Sequence, residues 1–190
     1  MRKVIFGGAN SLDNFIARKD GGVDWILWGD ETTELMKEMW AKFDCMVMGR
    51  KTYDFAMQMG EGEAKEKTNS KGKKKKAKNP YGNLKTYVFS RTLEAGERDG
   101  VEIVAEDAGD FVRKLKKQEG GDICVMGGGE LGKSLLEAGV IDEVGFNIHP
   151  VLLGSGIPLF HEMKRQIDLE LTECRQFKNG TVYLLYRVKN

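Results

Sequence analysis

Short apolar runs, each stopped by glycine and each followed by residues at helical spacing, recur along the chain, and this alternation restricts it to α/β architectures. The plainest case is Ile123-Cys124-Val125-Met126, an apolar strand that leads straight into Gly127-Gly128-Gly129-Glu130-Leu131-Gly132-Lys133-Ser134, with a helix expected over Lys133 to Ala138. Lys3 to Gly8 reads as an opening strand, and Cys45-Met46-Val47-Met48 as another that ends at Gly49. A loop is expected from Asn10 to Gly22, with Val23 to Trp28 after it. Asp30-Glu31-Thr32-Thr33 places acidic and hydroxyl residues in a first helical turn, and Leu35, Met39, Trp40 and Phe43 continue at helical spacing. Thr52 to Gln58 and Asp110 to Gln118 predict two more helices, while Thr86 to Phe89, Val101 to Val104 and Glu143 to His149 predict strands. Leu169 to Arg175 and Val182 to Val188 form a terminal pair joined at Asn179-Gly180, a hairpin signal. The expectation is one domain over residues 1–190: a mixed, mostly parallel sheet flanked by helices and closed by an antiparallel hairpin.

Residues 61–80 break the pattern, with eight lysines, three glutamates and almost no large apolar side chain. The simplest reading is a solvated, flexible insert, and the sharper one is a tether for an anionic surface. Net charge over the whole chain is only +1, so no nucleic-acid partner is expected. Cys45, Cys124 and Cys174 are scattered and odd in number, which suits a reducing compartment and makes the cytoplasm the expected address. No apolar run has membrane-spanning length, and His149 and His161 have no partner at metal-ligand spacing, so neither membrane nor metal is expected.

The glycine octet matches two phosphate motifs. Residues 127–134 fit G-x-x-x-x-G-K-S/T, in which Lys133 would hold a triphosphate and Ser134 a magnesium ion, and the first six also fit G-x-G-x-x-G. The first reading lacks room, since 56 residues follow Ser134 and end in a hairpin. The second lacks the acidic residue it needs about 20 positions on. A third reading takes in two further strand ends. Met48-Gly49-Arg50-Lys51-Thr52 puts a glycine, cations and a hydroxyl at a helix start, and Phe89-Ser90-Arg91 puts a hydroxyl beside a guanidinium that can bind a phosphate monoester in a fork.

Together with Ser11-Leu12-Asp13-Asn14-Phe15-Ile16-Ala17, Met126-Gly127-Gly128-Gly129-Glu130-Leu131, Ile141-Asp142-Glu143 and Pro150-Val151-Leu152-Leu153-Gly154-Ser155-Gly156, these stretches resemble the dihydrofolate reductase superfamily. The similarity is to its riboflavin-biosynthesis branch, the RibD C-terminal domain. The resemblance implies a dihydrofolate reductase-like fold, a homodimer and an NADPH site. By it, Gly49, Arg50, Lys51 and Thr52 would hold the pyrophosphate, and Ser90 and Arg91 the ribose 2′-phosphate. Gly127 and Gly128 would carry a cis peptide, Gly129, Glu130, Leu131 and Gly132 would complete the phosphate and nicotinamide-ribose wall, and Ala9 and Ile16 would meet the nicotinamide amide. Lys133 and Ser134 would then be ordinary helix residues.

The same resemblance implies hydride transfer to a pterin-like or ribosylaminopyrimidine substrate. Asp13 would be the catalytic-site carboxylate that binds its sugar, a turn-forming aspartate being the alternative, and Asn14 stands where the family has glycine. Asp24 and Trp25 are further candidates for the substrate pocket, although core packing suits Trp25 as well. A folate reductase would place a carboxylate on the helix after the first loop, where Glu31, Glu34 and Glu38 stand out of pattern. No H-x-E or P-C-x-x-C occurs, so a stand-alone reductase without a zinc deaminase is expected.

Overall fold

Val4-Ile5-Phe6 is apolar on both faces, which suits a strand covered from both sides, and it opens β1 (Val4–Ser11) at the centre of the sheet. The computed structural model describes residues 1–66 and 84–189. After β1 come β2 (Phe15–Ala17), α1 (Asp30–Trp40), β3 (Phe43–Gly49), α2 (Arg50–Glu66), β4 (Lys85–Phe89), β5 (Gly96–Arg98), β6 (Val101–Val104) and α3 (Ala108–Lys116). Next are β7 (Asp122–Met126), α4 (Gly129–Glu137), β8 (Glu143–His149), β9 (Ile157–Pro158), β10 (Leu169–Gln176) and β11 (Val182–Val188). Nine strands form one sheet in the order β10-β11-β8-β1-β7-β3-β4-β6-β5. Neighbours from β8 to β6 are parallel, and β5, β10 and β11 pair antiparallel.

Side chains of α3 and α4, among them Val112, Leu115, Leu135 and Leu136, pack with Phe6, Val47 and Val125 on one face. On the other face Met39, Trp40, Tyr53 and Met57, from α1 and α2, pack with Ile5, Met46, Met48 and Cys124. Residues such as Phe6 and Met46 are fully buried, and each such side chain contributes about 2 to 3 kcal/mol of transfer free energy. The α/β class, the mostly parallel sheet and the terminal hairpin agree with the sequence.

Four boundaries differ. The loop expected from Asn10 to Gly22 holds the end of β1 and all of β2, which pairs with β9 in a separate two-stranded sheet. That pairing depends on Gly156, where a side chain would overlap the Ala17 carbonyl. The helix expected over Thr52 to Gln58 runs from Arg50 to Glu66, six residues into the lysine-rich stretch, because Glu, Ala and Lys favour helix even where nothing apolar is available to bury. Residues 67–80 of that stretch lie outside the described residues. The last helix starts at Gly129 rather than Lys133, tertiary contact overriding the poor helix propensity of glycine. Finally, β5 is a short, fully exposed edge strand with no apolar period to betray it.

Candidate functional site: glycine turns at the carboxyl ends of the parallel strands

The carboxyl ends of β8, β1, β7, β3 and β4 lie side by side, and all the anion-friendly stretches gather there. In a parallel sheet this is the edge where ligands bind, since helices begin there with free N–H groups. Met48 on β3 is level with Met126 on β7, so the Gly49 and Gly127 turns are neighbours. They lead into α2 and α4.

The glycines in these turns have distinct jobs. A side chain at Gly49 or Gly128 would meet nothing within 4 Å, so both backbones face open space. Gly127 has φ +104, a region L side chains avoid, and a side chain there would overlap Thr52. Gly129 abuts the Leu159 carbonyl and the His161 ring, and a β-carbon on Gly132 would lie 2.5 Å from the buried Phe6 ring. Gly132 thus serves the packing of α4 on the sheet rather than facing the open side. The Gly127–Gly128 linkage, expected to be cis, is not: no described peptide bond is cis. The turn is made instead by the positive φ of Gly127 and the close approach of Thr52.

At α4 the N-cap residue is Gly128, with φ −69 and ψ 156 and no side-chain cap, leaving first-turn N–H groups for another acceptor. Glu130, on the exposed side, occupies that first turn, and Leu131 packs on the core together with Ile16. At α2 the first turn has no acidic residue and instead carries Arg50 and Lys51, both exposed. Cations there oppose the helix dipole by about 0.3 to 1 kcal/mol each, so the arrangement favours a bound anion.

Arg50 Nη1 donates to Thr92 Oγ1 at 2.5 Å and its Nε lies 3.3 Å from Asp54, which ties the start of α2 to the turn after β4. In that turn the buried Ser90 hydroxyl accepts from Thr92 N at 3.2 Å and Leu93 N at 3.0 Å. Arg91 is exposed and has no ion-pair partner among the described residues, so two guanidiniums flank a turn that already offers a hydroxyl.

Asp13 sits in a turn closed by Asn14 N to Ser11 O at 3.0 Å, with Asn14 at φ +64 in the place of a glycine. Its carboxylate accepts from Ser11 Oγ at 2.6 Å, Leu153 N at 3.1 Å and Gly154 N at 2.8 Å. The Ser11 hydroxyl, then the two backbone donors, hold its pKa below the usual carboxylate range, so Asp13 is ionised at neutral pH. A carboxylate has about four acceptor positions, so these donors leave room for one more. Asp24 is exposed and forms a two-point ion pair with Arg18 at 2.7 and 3.1 Å. Trp25 is buried, edge-on to His149 with ring centroids 5.3 Å apart. The two consecutive candidates therefore point into different surroundings.

His149, buried at the end of β8, accepts from Leu27 N at 3.2 Å through Nδ1. Burial pushes its pKa below the ordinary imidazole value. Since the unfolded chain takes up a proton near pH 6.5 and the folded one only lower, the stability from neutral His149 is complete above about 6.5 and is lost as pH falls through the folded pKa. Denaturant titrations from pH 7.5 to 5 are expected to show this loss in the parent and a flatter profile in His149→Gln. Parallel profiles would contradict it.

Sequence reasoning overlooked Asn147 and His149 as site residues, and it named Thr52 without its packing against Gly127. The signal was present for the first two: polar residues two apart at the end of an otherwise apolar strand share one face. The phosphate-loop reading gains no support from the side chains it needs. Ser134 Oγ donates to the Glu130 carbonyl at 3.0 Å, and Lys133 lies 4.0 Å from Glu137 on its own helix. The carboxylates of α1 are also engaged elsewhere: Glu31 accepts from Lys178 N, Glu34 pairs with Lys37, and Glu38 with Arg175. No helix among the described residues is long and apolar enough to cross a membrane.

Comparison with known proteins identifies the family and the fold. The chain is 32% identical over 187 residues to the Bacillus subtilis (strain 168) "Uncharacterized protein YyaP", covering 97% of this chain and 94% of that one. The crystal structure of a "Putative riboflavin biosynthesis protein" from Shewanella sp. PV-4 superposes with a TM-score of 0.78 at 24% identity, covering all of both chains. Dihydrofolate reductase from Enterococcus faecalis, solved with NADP(H), superposes at 0.65 with 17% identity, over 99% of this chain and 97% of that one, a likeness of fold alone. The architecture is therefore that of the dihydrofolate reductases. The family model of the RibD C-terminal domain matches residues 2–183, and the chain belongs to that family.

Proposed function

We propose that the protein is an NADPH-dependent reductase that transfers hydride to a small heterocycle, either a ribosylaminopyrimidine as in riboflavin biosynthesis or a pterin-like ring. The observation that carries this reading is the pair of adjacent helix starts behind Gly49 and Gly128, both open to a ligand and one of them cationic. The residues present fit a dinucleotide phosphate. Backbone N–H groups of the two turns, with Arg50, Lys51 and Thr52, would hold the pyrophosphate, and Ser90 and Arg91 the 2′-phosphate. Ala9 and Ile16 would border the nicotinamide, and Glu130 and Leu131 its ribose. When bound, NADPH supplies the hydride and the protein supplies orientation and exclusion of water.

Asp13, held ionised, is suited to accept from a sugar hydroxyl and to fix the loop at Leu153 and Gly154, but not to give up a proton. A folate reductase is the weaker reading, because Glu31, Glu34 and Glu38 already have partners in Lys178 N, Lys37 and Arg175. We include a homodimer in the proposal; β10 leaves Leu169 and Leu171 exposed on an open sheet edge.

The test is a titration with NADPH, NADH and magnesium-ATP, read by fluorescence and thermal shift, since binding at 100 times the dissociation constant stabilises by about 2.7 kcal/mol. NADPH is expected to bind selectively, with Arg91→Ala weakening it about 20-fold, in the range of a charge-assisted hydrogen bond, and Lys133→Ala leaving it unchanged. Equal binding of NADH, or stabilisation by magnesium-ATP alone, would refute the assignment.

A further inference from the structure

The Trp25 indole Nε1, buried beside the His149 ring, is an N–H donor without a partner among the described residues. The Asn147 amide, on the Nε2 side of the same ring, turns its NH2 group away from His149 by the following bonding logic. Because Leu27 N–H donates to Nδ1, that nitrogen carries no proton, and a neutral imidazole must then carry it on Nε2. Nε2 lies 3.4 Å from an amide end of Asn147. Two donors cannot bond each other, so the carbonyl end belongs there, accepting from Nε2–H. The Asn147 NH2 group is thereby turned to the buried position away from Nε2, where no protein donor among the described residues is within reach. Register puts Asn147 beside Ala9 on one face of the sheet, and β1 beyond Gly7 runs past the end of β7 toward the glycine turn. The amide thus stands next to the position assigned to the nicotinamide.

We propose that Asn147 and Trp25 form the carbonyl-recognising end of the pocket, donating to one ligand oxygen, and that His149 is a positioning residue that holds the Asn147 amide with its NH2 toward that oxygen. The proposal rests on the reductase reading for its ligands. A carbonyl oxygen has two acceptor lone pairs and can take both N–H groups, whereas an amino group in the same place would meet them as a further donor. The oxygen belongs either to an oxo group of the heterocyclic substrate or to the nicotinamide carboxamide, and affinity measurements separate the two.

The first experiment is on the wild-type protein. Long-range 15N–1H NMR, with His161→Asn to assign the only two histidines, is expected to show His149 as the Nε2–H tautomer. An Nδ1–H tautomer would overturn the proposal outright, whatever the variants do. Next, 6-aminouracil and 2,4,6-triaminopyrimidine, probes that differ in oxo against amino groups, are titrated with and without NADPH. Wild type is expected to prefer the oxo probe at least tenfold, and its binding to shift the Trp25 indole N–H resonance. Asn147→Leu and His149→Leu should abolish the preference, while His149→Gln, which keeps an N–H toward Asn147, should retain most of it. Should the oxygen be that of the carboxamide, the same Leu variants instead weaken NADPH about tenfold. If neither affinity responds while wild type binds NADPH, this proposal fails and the reductase reading stands. If wild type fails to bind NADPH but keeps an Asn147-dependent oxo preference, the reverse holds. Binding of neither probe nor NADPH by wild type would overturn both.

Discussion

Gly128→Asp is expected to fold at least as well as the parent and to lose NADPH binding by about 100-fold or more, whereas Gly127→Ala, one residue away, is expected to destabilise the protein by about 3 kcal/mol. The difference lies in what each glycine is for. Gly128 has φ −69 and ψ 156, the extended conformation usual for an N-cap residue, and a side chain there would meet nothing within 4 Å. An aspartate would supply the cap that α4 lacks, satisfying first-turn N–H groups and setting a negative charge against the helix dipole. By occupying those same donors it would exclude a phosphate and repel what remained. Gly127 has φ +104 and lies against Thr52, so an alanine adds backbone strain to steric overlap with a side chain anchored in α2. Denaturant unfolding and NADPH titration of both variants check the pair. Undiminished NADPH binding by Gly128→Asp would remove α4 from the cofactor site.

The contrast also shows how far a sequence can be read here. The apolar runs ended by glycine at Gly49 and Gly127 located the strand ends, because a buried parallel strand has little choice of composition. Gly127, Gly128, Gly129 and Gly132 look alike in one dimension, yet they serve a positive φ, an open surface, a close approach to Leu159 and room for Phe6 respectively. Those jobs are set by partners 30 or more positions away in most cases, so spacing within the octet could not separate them. The same holds for Asp13, whose donors Leu153 and Gly154 come from the far end of the chain. It holds for Ser90 too, whose turn is reached by Arg50 from another element. Local pattern carried the fold; the division of labour among site residues depended on long-range contacts, and β2 and β9 were too short for any periodicity to register.

Asp142 carries the second large effect, and it lies at the opposite end of the sheet from the glycine turns. Its carboxylate accepts from Lys116 Nζ at 2.8 and 2.7 Å and from Val4 N at 2.8 Å. Its backbone bonds Val4 O and Val188 N, both at 2.9 Å. One residue thus ties α3, the start of β1 and the end of β11 together. The Lys116 side chain is only 11% exposed, so it has little water to fall back on when its partner is removed. Lys116 keeps the Val140 carbonyl at 3.2 Å, and Asp142 is partly exposed. Asp142→Ala is therefore expected to cost about 2 kcal/mol, less than breaking a fully buried pair, and to lower Tm by roughly 4 to 8 °C in a chain of this size. Lys116→Met added to it should recover part of that loss by removing the stranded cation. About 1 kcal/mol should persist, because Val4 N–H still lacks its acceptor. NADPH affinity should match the parent in both variants, as neither residue belongs to the carboxyl-end crevice. Unchanged Tm in Asp142→Ala would mean that water replaces the carboxylate at no cost, and a fall in NADPH affinity without a fall in stability would mean that the two ends of the sheet are coupled.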